Sequence, residues 1–183
     1  MRPVDRALLA GDAPDVAPQL LGKLLVHGSC VGRITEVEAY REDDPASHTF
    51  NGPTKRNAVM FGPPGHLYVY FTYGMHYCCN VVTGPAGTGA AVLLRAVEPV
   101  AGIELMRERR HGRRQIADGP AKLCQAFAIA TDHDGVDLVD GDRSTVGLYD
   151  DGQPPPADPL VGPRVGISKA VDVPWRWRTP RPD

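Results

Sequence analysis

The chain has 183 residues and a formal net charge of −2, with 42 % hydrophobic and 23 % charged residues. That balance supports one domain with a sizeable core and excludes a disordered chain or one that is basic throughout. No apolar run is long enough to span a bilayer and no secretory signal is visible, so a cytoplasmic protein is expected.

Twenty glycines and eighteen prolines predict many turns and few long helices. Loose tails are expected over residues 1–11 and 179–183 of a single domain spanning 1–183. Asp12 to Leu21 reads as a short helix, capped by Asp12 or Asp15, with Gly22 at its end. Lys23 to His27 and Val31 to Tyr40 read as a hairpin around Gly28-Ser29. In the second strand, alternation puts Glu36, Glu38 and Tyr40 on one face with Ile34, and Val37 and Ala39 on the other. Carboxylates are depleted in strands and costly to bury. Glu36 is therefore either ion-paired to Arg33 or Lys23, or part of a carboxylate pair held at a cleft for base catalysis.

Arg41 to Arg56 is a polar loop containing His48, and Arg56-Asn57 close it. Leu67 to Val82 is the most unusual stretch, with two aromatic and β-branched strands joined at Gly74. Tyr73, Met75 and His76 crowd the tip. Either the tip inserts into a partner, such as a base stack, or it folds back onto the core. Ala90 to Val97 is a strand with Val92 and Leu94 on one face and Leu93 and Arg95 on the other. An arginine there needs an anion, for which Glu38, Glu98 or a phosphate is a candidate. Pro99 to Arg110 and Gly119 to Ile129 read as helices, and Lys122 beside the Gly-Pro start of the second suits an anion. Asp137 to Tyr149 reads as two short strands, and Gly162 to Ser168 as a last one.

No βαβ rhythm appears, so the expected fold is α+β, a single domain on a curved, mostly antiparallel sheet with short helices and a protruding β-hairpin. Cys30, Cys78, Cys79 and Cys124 lack any CxxC spacing and read as small buried hydrophobes. The basic run Arg107 to Arg114 is either a solvated helix end or a phosphate contact.

These blocks occur together, in order, in one family. Glu36-Val37-Glu38-Ala39-Tyr40, His48, Arg56-Asn57, Gly65 to Tyr70, Tyr73-Gly74-Met75, Asn80, Leu93 to Pro99 and Gly119 to Ala126 resemble the alkyladenine (3-methyladenine) DNA glycosylase family. The resemblance runs from about Leu20 to about Ile167, and His76 departs from it where an aromatic ring is common. It implies a monofunctional base-excision repair hydrolase acting on double-stranded DNA that contains damaged purines, as a monomer, with no cofactor and no metal. By the same resemblance Glu38 is the general base, and Arg95 helps hold the water or the nucleotide backbone. Tyr40, His48 and Tyr70 wall the base pocket, and Asn80 screens purines. Tyr73 fills the gap in the stack beside Met75, while Arg56 and Lys122 lie near the DNA backbone. No lysine stands by Glu38 in the motif, so strand cleavage is not expected. Two other readings stay open on the residues alone. One is a non-catalytic module for distorted nucleic acid, and the other a metal-dependent hydrolase using His48, His66 and His76.

Overall fold

A computed structural model describes residues 1–180. Asp12 accepts the Ala13 N–H and caps α2 (Ala13–Leu20), which buries Val16, Ala17 and Leu20. Gly22 follows at φ 83 and turns the chain into β2 (Leu24–His27). The other strands are β1 (Arg2–Pro3), β3 (Cys30–Tyr40), β4 (Leu67–Thr72), β5 (His76–Val82), β6 (Ala91–Ala101), β7 (Val146–Asp150), β8 (Leu160–Gly162) and β9 (Arg176–Arg178). Their order is β1-β7-β2-β3-β6-β5-β4, with β9 also on β3 and β8 on β9. Every pairing between these strands is antiparallel. Helices α1 (Arg6–Leu9), α2, α3 (Ile103–Arg109) and α4 (Pro120–Phe127) complete an α+β domain.

One face of the sheet carries the core. Val37, Ala39, Val92, Leu94, Cys79 and Val81 meet Leu20 of α2, Met106 of α3, and Leu123 and Phe127 of α4 there. The four cysteines are free and buried. On the opposite face, Tyr68, Met60, Val82 and Ala91 form a smaller apolar cluster.

Alternation along β3 breaks between Ile34 and Val37, and the break orients the site. Thr35 has no partner on β6, where Ile34 faces Val97 and Glu36 faces Ala96; Arg95 is the unmatched residue opposite. These two compensating β-bulges invert the side-chain phase. Ile34 therefore joins Val37 and Ala39 in the core, and Glu36, Glu38 and Tyr40 no longer share its face. The bulge also marks a change of neighbour, since β3 pairs with β2 before Thr35 and with β9 after it.

Other sequence expectations need correction. Residues 1–11 are not a loose tail: β1 pairs with β7, Val4 and Leu9 are buried, and Arg6 pairs with Asp137. At the other end, the Thr179 N–H donates to the Thr35 carbonyl, and residues 181–183 of the expected tail lie outside the described residues. Pro99 is in β6, not α3. It stands opposite Gly32 beside a register shift, where its missing N–H is tolerated, and the helix begins only after Gly102 at φ 69. Asp137 makes a single bridge to His66 rather than a strand. Residues 163–168 are irregular, because their backbone serves a side chain instead of a ladder.

Candidate active site

On the face opposite the core helices lies a cleft of about 520 Å³. Its floor comes from β3, β4, β5 and β6, through Tyr40, Tyr68, Tyr70, Cys78, Asn80, Leu93 and Arg95. Pro45, Ala46 and His48 wall one side, and Val165 to Lys169 the other.

Glu38 sits just under this cleft and is fully buried. Two hydrogen-bond donors and one paired cation reach its carboxylate. Tyr40 Oη donates to Oε2 at 2.9 Å, the Val165 N–H donates to Oε1 at 2.8 Å, and Arg95 Nη1 lies 3.3 Å from Oε1. A buried carboxylate needs such partners. Burial, followed by the adjacent Glu38 charge, pushes the Tyr40 phenol far above its ordinary range, so it stays a donor. Arg95 also donates to Glu36 through Nε at 2.9 Å, and Arg176 Nε stands 3.6 Å from the same oxygen. The expected partners of Glu36 are engaged elsewhere, Arg33 with Asp151 and Lys23 with Asp150.

The aromatic wall is built by strand alternation. Tyr68 and Tyr70 share a face of β4 and stack with centroids 5.6 Å apart. His48 stands edge-on to Tyr70 at 4.5 Å, and its Nδ1 lies 3.1 Å from Tyr68 Oη. Burial, helped by Arg56, lowers the tendency of His48 to charge. Its loop is pinned by Asn57, whose amide donates to the His48 and Gly52 carbonyls and accepts from Thr54. Asn80 is buried and donates to the Tyr68 carbonyl.

The β4–β5 hairpin projects from the cleft rim. Tyr73, Gly74 and Met75 form the three-residue loop between the paired Thr72 and His76, and the Met75 N–H donates to the Thr72 carbonyl; Tyr73 and Gly74 have successive positive φ values of 50 and 65. An aromatic residue there is strained. Tyr73 is nevertheless 80 % exposed and Met75 67 % exposed. The tip therefore stands out in solvent and does not fold back onto the core.

Of the residues singled out from sequence, Glu38, Arg95, Tyr40, His48, Tyr70 and Asn80 meet at or just beneath this cleft, and Tyr73 lines its mouth. Arg56 braces the hairpin through the Phe71 carbonyl. Lys122 is engaged by Asp118 and Gln115, each at 2.9 Å, near Pro120 at the cleft edge. The basic run is partly structural: Arg109 bonds the Ala126 carbonyl and Arg110 the Gln125 side chain, leaving Arg113 and Arg114 exposed. Sequence reasoning missed the strap at 163–169. Its bond to Glu38 joins residues 127 apart, and no local pattern announces such a contact. Among the described residues, no group of three or more His, Cys, Asp or Glu is placed to hold a metal. None of the described helices is long and apolar enough to cross a membrane.

Comparison of the sequence with known proteins gives its family. A family model described as methylpurine-DNA glycosylase matches residues 7–182. A protein of Burkholderia lata provisionally named 3-methyladenine DNA glycosylase is 55 % identical over 96 % of this chain and 86 % of its own length. Proteins with the same provisional name from Nitrosospira multiformis and Rhodopseudomonas palustris (strain HaA2) are 49 % and 46 % identical, covering 89 % and 96 % of this chain and 83 % and 86 % of their own. A model spanning nearly the whole chain and relatives this similar place it: the chain belongs to the methylpurine-DNA glycosylase family.

Proposed function

We propose that the protein is a monofunctional DNA glycosylase. It takes alkylated or deaminated purines out of duplex DNA and hydrolyses their N-glycosidic bond with a water activated by Glu38. A base inside a duplex is out of reach at its sugar carbon, so the nucleotide must leave the stack at a cost of a few kcal/mol. Tyr73, rigid and exposed at a hairpin tip, is suited to occupy the hole it leaves, with Met75 beside it. Tyr40, His48 and Tyr70 offer the extruded purine aromatic surfaces, worth roughly 1–3 kcal/mol per stacked base. A purine alkylated at a ring nitrogen is cationic, and electron-rich rings add roughly 0.5–2 kcal/mol for it. Asn80 lies where it can meet the base edge.

Rupture of the bond from C1′ to the base nitrogen builds positive charge on the sugar. Ionised Glu38 stabilises that charge and takes the proton of the attacking water, whose oxygen ends on C1′ while the purine leaves with the bonding pair. Arg95 keeps the carboxylate in place. The reaction as written needs no metal or cofactor. Arg56 and Lys122 contribute to the DNA backbone side, and the protein acts as a cytoplasmic, nucleoid-associated monomer on double-stranded DNA.

The observation that carries this reading is a buried carboxylate held by two hydrogen bonds and an arginine beneath an aromatic cleft, in a chain of this family. The test is release of free base from an alkylated duplex by wild type and Glu38→Gln, with and without chelator. Release abolished in Glu38→Gln and indifferent to chelator is expected, and loss of activity toward acid pH should accompany it. Unimpaired release by Glu38→Gln would overturn the reading. Tight binding of damaged duplex without any release by wild type would make the protein a binding module instead.

A further inference from the structure

Arg164 is wholly buried, and so nearly is its partner Asp44. Its Nη1 and Nη2 donate to the two Asp44 carboxylate oxygens, and Nη1 also donates to the Ala39 carbonyl at 3.0 Å. The guanidinium lies 4.7 Å from the centre of the Tyr40 ring and 5.4 Å from that of Trp175. Its Nε is buried without a partner. An apolar cluster of equal volume would stabilise the fold at least as well as a buried ion pair. The geometry instead shows a clasp. Asp44 belongs to the loop that carries His48, Arg164 belongs to the strap, and Ala39 precedes Tyr40 on β3. The next residue, Val165, gives its N–H to Glu38, and Tyr40, on which the guanidinium lies, gives its hydroxyl to the same carboxylate.

We propose that Arg164 is a positioning residue for the glycosidic hydrolysis: clamped by Asp44 and set over the Tyr40 ring, it fixes the two donors, Tyr40 Oη and Val165 N–H, that aim the Glu38 carboxylate. The proposal rests on Glu38 being the base. Arg164 acts through Tyr40 and the strap and touches neither water nor DNA. Lysine is a poor substitute, because it keeps the charge but neither forks onto two oxygens nor lies flat between rings. The other ionisable groups around Glu38 are Glu36 on its own strand, Arg95 on β6, Cys78 on β5 and Arg176 on β9.

The experiment compares wild type, Arg164→Lys, Trp175→Leu and Glu38→Gln in single-turnover base release at saturating enzyme. Active sites are counted by titration with a duplex bearing an uncleavable abasic analogue. Arg164→Lys is expected to lower the rate per active site about 10- to 100-fold, the cost of a misaimed group. Its affinity for the analogue duplex should stay within about 3-fold of wild type, since the DNA-facing hairpin is untouched. The acid limb of its pH–rate profile should move toward neutral pH, because two donors to the ionised carboxylate are loosened. Trp175→Leu keeps the fork and removes the outer ring, which also packs on the core and under Arg41, so it should move both readouts in the same direction by less. It also serves as the test if Arg164→Lys does not fold. Rates and acid limbs equal to wild type per active site would overturn the proposal. So would a lower rate with an unmoved acid limb, which is the mark of a merely structural clasp. Normal release by Glu38→Gln would instead remove the reading beneath it.

Discussion

Glu38 and His48 show how burial assigns charge in this cleft. Glu38 is buried yet surrounded by donors, which suits an anion. His48 is buried beside a cation, and its tendency to protonate falls below the ordinary value of 6.5. The folded protein therefore binds fewer protons at His48 than the unfolded chain does between the lowered value and 6.5. The linked stability is complete above 6.5 and declines as pH falls through that window. At neutral pH the ring is uncharged, so a cationic alkylpurine meets no repulsion there. Replacing it by a permanent charge should reverse this. His48→Lys is expected to depress release of 3-methyladenine at least about 10-fold more than release of neutral hypoxanthine, a difference of about 1.4 kcal/mol between the two barriers. Single-turnover assays on the two lesions check it, and equal losses would show that charge at this wall is irrelevant.

At the scale of elements, the paired bulges of β3 and β6 matter most. Thr35 and Arg95 are the unmatched residues, and the phase change they cause gives Ile34 to the core and Glu38 to the cleft from a single strand. Deleting Thr35 removes one of two compensating unmatched residues and leaves Arg95 uncompensated, so the pairing of β3 with β6 must slip by one residue and Arg95 loses its place beside Glu36 and Glu38. The expected result is no detectable base release and a destabilisation of about 3 kcal/mol or more, typical of a buried charge stripped of its partners. Thr35→Val, which keeps the bulge, should cost little; calorimetry and base release on both variants decide. Most elements were legible in the sequence because their signals are local: Asp12 before an apolar helix, alternating aromatics in β4, and Gly74 at a tip. The bulge was not, since it depends on the facing strand. Nor was the strap, whose Val165 amide leaves any ladder to meet a carboxylate far away in sequence.

At the scale of the whole molecule, ion pairs tie strands of the sheet together. Lys23 meets Asp150 at 3.0 Å and Arg33 meets Asp151 at 2.7 Å, tying β2 and β3 to the end of β7. The bond from Arg33, with the Gln153 amide, holds the Asp151 carboxyl down at about 2, and the Gly152 amide and Lys23 lower Asp150 as well. The unfolded chain therefore takes up more protons than the fold below the ordinary value of 3.8. This share of stability is present above 3.8 and is lost as pH falls toward about 2. Thermal midpoints measured from pH 7 to 2 should fall steeply in that window, and Asp151→Asn should flatten the fall there while leaving the slope above pH 5 unchanged. The family and the aromatic cleft were readable as blocks of sequence. The convergence of the two loops over Glu38 exists only in the assembled molecule. That convergence leaves Glu38 no opening to bulk solvent. On the proposed chemistry, free nucleosides and the sugars of intact helix drifting past find no exposed acid to meet, and only a nucleotide threaded deep between the tyrosines is expected to be cut.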